Sequence, residues 1–481
     1  MLLPPPSAAL IPLFIIASYN PLNVYQDAAI CSDSYYGAVG NSNFFWVDRQ
    51  GPCLKYLLSH DPQFTSIHPL RLLEHRSGTS LFWLEREAVD ESLSLSAKDE
   101  LFEYLVELEG LNAPSLSEGQ QPLNTGVGSA IEVLLRGPDA LLLRVDLQRT
   151  PILEVPPPRL WKAALISDSP VPFTPVPSLA VDRVKQILSK VKFDPLVASV
   201  VNNISVPQLK NDIRFLTGED GKSGIESRHS FSDGILVAAE WLKARMEDTG
   251  ATCELKPFLS GFGPNIICTY AASTKTSETV LLSAHYDSRG SFGSTRAPGA
   301  DDDGSGTVSI LGIARTIARR RVKFRTNVQL CLFAGEEQGL LGSRAYAREL
   351  RAAGANLTLM VQADMLAYRA PGEPPQLGLP DIIGSPEVTQ LVANVSAIYS
   401  PELSVGFTPA CCSDHQSFHE QGFPATQVFE RAGPIADPMY HNSGDLSDRE
   451  GYDFGQLKSI GKVQFATLLH AAGFFIEEDD E

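Results

Sequence analysis

The C-terminal part of the chain, from Val181 onward, alternates short apolar runs with stretches of helical spacing. Because helices that connect successive strands cover both faces of a mostly parallel sheet, this alternation predicts an α/β domain. Such sheets place their functional residues beyond the carboxyl ends of the strands, so the residues after each run are the candidates for a site. The strand-like runs are residues 280–284, 328–333, 359–363 and 426–429, and helical spacing occupies intervals such as 304–320 and 386–399.

The polar residues that follow these runs are carboxylates and imidazoles. Glu336 and Glu337 directly follow one run, although adjacent like charges repel and are costly to bury unpaired. Any one of these acids is explicable as a hydrated surface residue. Five such positions at one edge of one sheet are not explained as hydrated surface residues. The other positions are His285 with Asp287, the triplet Asp301 to Asp303, Asp364 and His441.

This set of residue types predicts a metal site. Oxygen and imidazole ligands without cysteine suit a catalytic zinc ion with open coordination positions. The acids outnumber what a single zinc ion needs, which favours two metal ions that share a bridging carboxylate. Two divalent cations would also neutralise carboxylates that are otherwise too crowded to remain ionised together.

The ordered series HYDS, PGADDDGSG, AGEEQGLLGS, QADM and DPMYHNSGD closely resembles the co-catalytic zinc aminopeptidases of clan MH, peptidase family M28. The resemblance covers roughly residues 181–475. It implies the zinc exopeptidase fold, a mixed, mostly parallel sheet sandwiched by helices. It also implies two Zn²⁺ ions and hydrolysis of the first peptide bond of substrates with a free N-terminus, through a metal-bound water.

The resemblance implies a role for each matched residue. Asp302, the second aspartate of the triplet, resembles the carboxylate that bridges the two metals. His285 and Asp364 would complete one zinc site, and Glu337 and His441 would complete the other.

Two more acids receive roles from the same match. Glu336 resembles the general base that deprotonates the attacking water and then protonates the leaving amine. Asp287 resembles the acid that fixes the tautomer of the ligand His285. The resemblance further implies a cis peptide bond between Asp302 and Asp303.

The match departs from the family in the segment TPACCSDHQSF. Cys412 matches a family cysteine, but Thr408 stands where the secreted members usually have its partner. We therefore expect Cys412 to lack that partner, which leaves the shape of the substrate pocket open. Phe429 and Tyr440 lie near matched pocket positions and indicate an apolar side chain next to the free amine. His415 is interpreted as a structural residue and not as a ligand.

The first 180 residues lie outside the resemblance. Residues 25–150 are rich in short strand-like runs, which predict a smaller β-rich accessory domain or pro-domain. The proline-dense residues 151–178 predict an extended linker, so the catalytic domain would span 179–481. The seven cysteines allow several pairings: Cys31 with Cys53 and Cys253 with Cys268 are candidates, and Cys331 is expected to stay reduced in the core.

Residues 1–18 have the length of a signal peptide, with small residues at Ala17-Ser18 for cleavage. No lysine or arginine precedes Arg49, so the usual basic start is missing. Three glycosylation sequons agree with a secreted glycoprotein. The sequons begin at Asn203, Asn356 and Asn394.

Charge and hydropathy exclude two classes of partner. The net charge is −18 and the pI is near 5.0, so no basic surface is expected for nucleic acid. No later segment has the apolar length of a membrane span. Within the clan, the open alternatives are a carboxypeptidase or dipeptidase, a single-zinc glutaminyl cyclase, and a receptor ectodomain that has lost its metals. The preferred substrate residue and the oligomeric state are also left open.

Overall fold

The computed structural model describes residues 13–18, 30–40, 42–60, 66–69, 78–96, 100–110, 130–147, 152–172, 174–410 and 412–477. The chain divides into two compact units. The first unit is drawn from residues 1–85, 107–152 and 163–174. The second is drawn from residues 86–106, 153–162 and 175–481, so it includes two segments that precede position 179.

The first unit is built on two four-stranded sheets with the orders β2-β3-β1-β4 and β6-β7-β5-β8. One apolar cluster joins residues of both sheets, with the rings of Phe44 and Trp83 5.2 Å apart. A disulfide joins Cys31 to Cys53. The strands are β1 (Leu13–Ser18), β2 (Tyr35–Val39), β3 (Ser42–Val47), β4 (Ser66–Pro69), β5 (Thr79–Arg86), β6 (Ile131–Arg136), β7 (Ala140–Asp146) and β8 (Trp161–Leu165).

Two of these strands lie in segments with other sequence-based interpretations. Strand β1 contains residues that the sequence assigns to a leader, and its Phe14 and Ile15 are fully buried. Cleavage after this segment stays a prediction. Strand β8 lies in the stretch for which the sequence predicts an extended linker. The helices of this half of the chain are α1 (Pro52–His60), α2 (Glu91–Ser96) and α3 (Leu101–Gly110).

The second unit contains a six-stranded mixed sheet with the order β17-β14-β11-β13-β10-β9. The four strands from β17 to β13 are parallel, and β10 and β9 are antiparallel to their neighbours. The predicted fold class is confirmed. The strands of this unit are β9 (Thr252–Lys256), β10 (Asn265–Tyr270), β11 (Glu278–His285), β12 (Val322–Phe324), β13 (Asn327–Phe333), β14 (Asn356–Ala363), β15 (Gln376–Pro380), β16 (Ser404–Thr408), β17 (Ala425–Val428) and β18 (Phe474–Ile476).

Helices cover both faces of this sheet because its strands are apolar on both sides. In β11, Val280 and Leu282 belong to one apolar cluster and Leu281 belongs to another, as the two-residue period of a strand requires. The helices of this unit are α4 (Ser178–Lys190), α5 (Pro195–Val201), α6 (Val206–Leu216), α7 (Asp233–Glu247), α8 (Gly304–Arg319), α9 (Leu341–Ala352), α10 (Pro386–Tyr399), α11 (His415–Glu420) and α12 (Phe454–Ala472).

The cysteines of this unit bear on three predictions. Cys253 and Cys268 face each other on β9 and β10 and form a disulfide, and Cys331 is free and buried, as expected. Cys412 is disulfide-bonded, but its usual family partner is absent as expected, because position 408 is a threonine. Across the described ranges, no helix has the length and apolar character needed to cross a bilayer.

Candidate active site

The parallel strands bring the candidate ligands to one edge of the sheet. Strand β11 ends at His285, and β14 ends one residue before Asp364. Strand β13 is followed by Gly335, whose positive φ of 72° turns the chain toward Glu336 and Glu337. Because β11, β13 and β14 are adjacent and parallel, their carboxyl ends meet, which is why residues far apart in sequence are close here.

Five of the sequence-predicted residues form two groups that share Asp302. The first group is His285, Asp302 and Asp364, and the second is Asp302, Glu337 and His441. In each group one ligand atom per residue lies within 4.8 Å of the others. The structure therefore brings together all five residues that the sequence selects as ligands.

Asp302 lies between the two imidazoles. Its Oδ1 is 3.2 Å from Nε2 of His285, and its Oδ2 is 3.1 Å from Nε2 of His441. Nε2 of His285 is also 3.8 Å from Asp364, and Nε2 of His441 is 3.2 Å from Glu337. Burial opposes ionisation of Asp302, but the favourable interactions with the adjacent imidazoles of His285 and His441 outweigh it and lower the pKa of this carboxyl.

The buried polar atoms fit a metal. Both ring nitrogens of His285 and Oε1 of Glu337 are buried without a hydrogen-bond partner. Such atoms are costly unless something compensates for the lost hydration. Imidazole nitrogen and carboxylate oxygen are the donors that zinc takes in catalytic sites. The residues present are therefore suited to hold zinc.

Asp287 contacts His285 and the turn that carries Glu336 and Glu337. Its Oδ1 is 3.4 Å from Nδ1 of His285, and its Oδ2 accepts a 2.8 Å hydrogen bond from Ser230. The backbone amides of Glu336 and Glu337 donate to the same carboxylate at 3.4 Å. Asp287 thus contacts both the imidazole and the turn that carries the two glutamates.

Glu336 differs from Glu337 in its contacts. Its side chain is only half-buried, and no hydrogen bond to its carboxylate is present among the described residues. Burial raises the pKa of the Glu336 carboxyl well above its usual range, and the nearby Asp364 and Glu337 add to this rise. The two neighbouring glutamates thus differ: Glu337 contacts His441, and no such contact is described for Glu336.

Other members of the acidic motifs hold the backbone. Asp303 accepts hydrogen bonds from the amides of His285, Gly306 and Met365, so it connects β11, α8 and the end of β14. The carboxylate of Asp445 accepts from the amides of Asp301 and Asp302. The peptide bond between Asp302 and Asp303 is cis, as the resemblance implies.

A buried arginine that the sequence analysis did not select supports the same loops. Arg228 is fully buried and donates to the carbonyls of Leu216, Tyr286, Pro298 and Gly299. Burial lowers the pKa of its guanidinium to about 10, while the surrounding aspartates oppose this change. Nothing in the surrounding segment ESRHS indicated this role for Arg228.

Two of the three candidate pocket residues are buried together, and one of them contacts a candidate ligand. Phe429 and Tyr440 are buried in one apolar cluster with Met365, and the Tyr440 ring stacks on His441 at a centroid distance of 3.7 Å. Cys412 has a positive φ of 96°. Thr408, which stands where a cysteine was expected, donates to the carbonyl of Gly433.

His415 belongs to neither ligand group among the described residues. Its Nε2 lies 3.1 Å from the carbonyl of Ile383, which can only accept, so this nitrogen carries the proton. Burial lowers the pKa of His415 to about 3 and that of His419, on the same helix, to about 4.

These two imidazoles predict a stability loss in acid. Their pKa values in the folded protein lie below the unfolded value of about 6.5, so the unfolded chain binds more protons below about pH 6.5. Stability is complete above that pH and falls as the pH drops toward 4. Replacing His415 by glutamine keeps a donor for Ile383 and should reduce this slope by up to about 1.4 kcal/mol per pH unit. Urea unfolding of metal-free protein across this pH range measures the slope, and equal slopes for both proteins would refute the assignment.

Sequence comparison identifies the family. The profile of peptidase family M28 matches residues 265–468. A probable leucine aminopeptidase of Arthroderma otae is 32% identical over 267 residues, which cover 52% of this chain and 69% of that protein. The chain belongs to peptidase family M28.

Further comparisons agree with this membership. Leucine aminopeptidase 1 of Sclerotinia sclerotiorum is 29% identical over 324 residues, covering 61% of this chain and 80% of that protein. The LapA aminopeptidase of Legionella pneumophila has a TM-score of 0.59 at 17% identity, covering 83% of this chain and 99% of that chain. At 17% identity, the similarity to LapA shows the fold alone. As an M28 member the protein is a peptidase, and the family implies dependence on zinc.

Proposed function

We propose that this M28 peptidase is a zinc-dependent aminopeptidase that removes residues from the free N-terminus of peptides with two Zn²⁺ ions. The observation that carries the proposal is the pair of ligand groups joined by Asp302. The leucine aminopeptidases among its relatives support the choice of the N-terminal bond over a carboxypeptidase or dipeptidase reaction. A glutaminyl cyclase reaction is not favoured by these relatives, and the complete ligand set argues against a metal-free receptor ectodomain.

The chain's own residues would divide the work. His285 and Asp364 would hold one zinc ion, Glu337 and His441 the other, and Asp302 both. When bound, the two ions supply Lewis acidity to the scissile carbonyl and lower the pKa of the attacking water. Both groups lie at the end of the sheet where the substrate bond would have to be placed.

Glu336 would handle the proton. Its carboxylate is the one acid of the pair not engaged by a described histidine, so it can accept the proton of the attacking water. It would then donate this proton to the nitrogen of the leaving peptide, which must be protonated before it departs. Asp287, next to Nδ1 of His285, would hold that imidazole in the tautomer that leaves Nε2 free to bind metal.

The residues near the site favour one class of substrate side chain, and the N-terminal sequence and the sequons favour a secreted protein. Phe429 and Tyr440, together with Cys412, would favour an apolar side chain after the free amine. The protein would be secreted, with residues 1–18 as its leader and residues 25–150 as an accessory domain or pro-domain. Of the sequons, Asn203 and Asn394 are exposed, whereas Asn356 is half-buried and hydrogen-bonded to Arg183.

Substrate and metal requirements test the proposal together. Free-amine peptides with an apolar first residue should release that residue, N-acetylated peptides should not react, and C-terminal amidation should have no effect. Dialysis against a chelator should abolish release, and about two equivalents of zinc per chain should restore it. Release from the C-terminus, or cyclisation of an N-terminal glutamine without release, would contradict the aminopeptidase assignment.

A further inference from the structure

A short segment from the N-terminal half of the chain contacts the candidate ligand His441. We call residues 158–161 the strap. The carbonyl of Arg159 lies 3.0 Å from Nδ1 of His441. Because a carbonyl can only accept, Nδ1 must carry the proton, and the lone pair of the ring is left on Nε2. This is the nitrogen that faces Asp302 and Glu337.

The side chain of Arg159 holds the loop that carries His441. Its guanidinium donates to the carbonyl of Tyr440 at 2.7 Å and to the carbonyl of Pro438. His441 itself has a positive φ of 50°, a conformation that residues other than glycine rarely adopt unless the surroundings impose it. Arg159 thus contacts this loop through both its backbone and its side chain.

Arg289, in the loop after β11, holds the strap from the other side. Arg289 lies two residues after Asp287, is almost fully buried, and donates to three carbonyls of the strap. The acceptors are Pro158 at 3.0 Å, Arg159 at 3.3 Å and Trp161 at 2.8 Å. The strap is therefore bound to the loop after β11 and to the loop of His441 at the same time.

A second N-terminal segment reinforces the strap. The amide of Glu87 donates to the carbonyl of Leu160 at 2.9 Å, and two residues later Val89 forms a bridge with Ile435. The side chain of Leu160 packs in the apolar cluster that contains Phe429 and Tyr440. The strap thus packs against the candidate pocket residues Phe429 and Tyr440 and also contacts the candidate metal ligand His441.

From these contacts we propose that the strap is a positioning element of the metal site and that Arg159 is a positioning residue for His441. Its carbonyl selects the tautomer, and its guanidinium holds the ligand loop. The inference rests on the proposed role of His441 as a zinc ligand. It makes residues 158–161, which belong to the second compact unit, a required part of the enzyme although they lie before the predicted catalytic domain.

The test is the zinc affinity of full-length protein carrying Arg159→Ala. The metal-free protein is titrated with Zn²⁺ against a chromophoric chelator, and its thermal unfolding is recorded without metal. Partners that orient metal ligands typically contribute about 10–100-fold in affinity. We expect a loss of that size at one of the two zinc positions, while the other keeps wild-type affinity. Arg159→Lys should recover part of the loss because one ammonium can still reach a loop carbonyl.

Arg289→Lys tests the strap from its other side. The three bonds of Arg289 come from one guanidinium nitrogen. A lysine keeps the charge, but its ammonium group cannot take the position of that nitrogen, so the strap should loosen and zinc should bind more weakly at the same position. If Arg159→Ala does not fold, Arg289→Lys still tests whether the strap contributes to zinc binding. Arg369→Ala is the matched control, because its guanidinium bonds Asp453 and the carbonyl of Glu373, neither of which belongs to a candidate ligand.

Three outcomes separate the hypotheses. Selective weakening of one zinc position in the strap variants, with two wild-type affinities in Arg369→Ala, supports the proposal. Wild-type affinity at both positions in folded Arg159→Ala and Arg289→Lys overturns it, as does an equal loss in the control. If the unaltered protein itself binds fewer than two zinc ions, the proposed function fails instead, whatever the variants do.

Discussion

Glu336→Gln is expected to lower turnover by about 10²–10⁴-fold while the protein still folds and binds both zinc ions. Glutamine keeps the shape of the side chain but cannot accept the proton of the attacking water. The carboxylate of Glu336 contacts no candidate ligand through a described hydrogen bond, so its loss should leave the metal positions intact. Steady-state kinetics and zinc analysis on the same preparation measure the two effects.

Glu337→Gln is the comparison for this prediction. The neighbouring glutamate contacts His441 at 3.2 Å and belongs to a ligand group, so its replacement should reduce zinc binding as well as activity. The two variants differ by one position in the chain and should give different metal contents. Near-normal turnover in Glu336→Gln would show that Glu336 is an ordinary hydrated acid and not the base.

Asp302→Asn should have the broadest effect on metal binding. Its two oxygens face the imidazoles of both groups at 3.2 and 3.1 Å, and an amide offers only one oxygen and no charge. A bridging carboxylate serves both ions, so zinc content should fall from about two per chain to below about one. Activity should fall with it and should not return when excess zinc is added at moderate concentration.

Elemental analysis after gel filtration measures this change. Glu337→Gln, which removes a ligand from one group only, should retain about one ion per chain and provides the control. An Asp302→Asn protein that keeps two tightly bound ions would contradict the bridging role. Thermal unfolding should show that the variant is folded because, among the described residues, the Asp302 side chain pairs only with the two histidines.

Several parts of the fold were predictable because they depend on local pattern. The strand β11 and the helix α10 lie where two-residue and helical periodicity place them, since apolar residues recur on the faces that pack. The ligand residues were predictable because the acids and histidines stand immediately after apolar runs, where a parallel sheet exposes its strand ends. Their roles as metal ligands stay proposals.

The supporting contacts were not predictable in the same way. Arg159 lies in a proline-dense stretch whose composition indicates a linker, and nothing in the residues near it signals a bond to a residue 282 positions later. Arg289 follows the His285 motif directly, which was the one available signal for its importance. The sequence showed that Thr408 replaces the usual partner of Cys412, but it did not predict that Cys412 would still be disulfide-bonded.

The amino-acid sequence by itself determined the α/β class, the edge of the sheet that carries the site, and the set of residues gathered there. These follow from periodicity and residue type, which act over a few neighbours in the chain. Only the tertiary structure decided that the strap reaches His441, that Asp303 and Asp445 hold the backbone of the aspartate triplet, and that Arg228 is buried beneath it. Hydrogen bonds to backbone carbonyls and amides create these contacts, and every residue offers those groups, so the sequence cannot mark which ones are used.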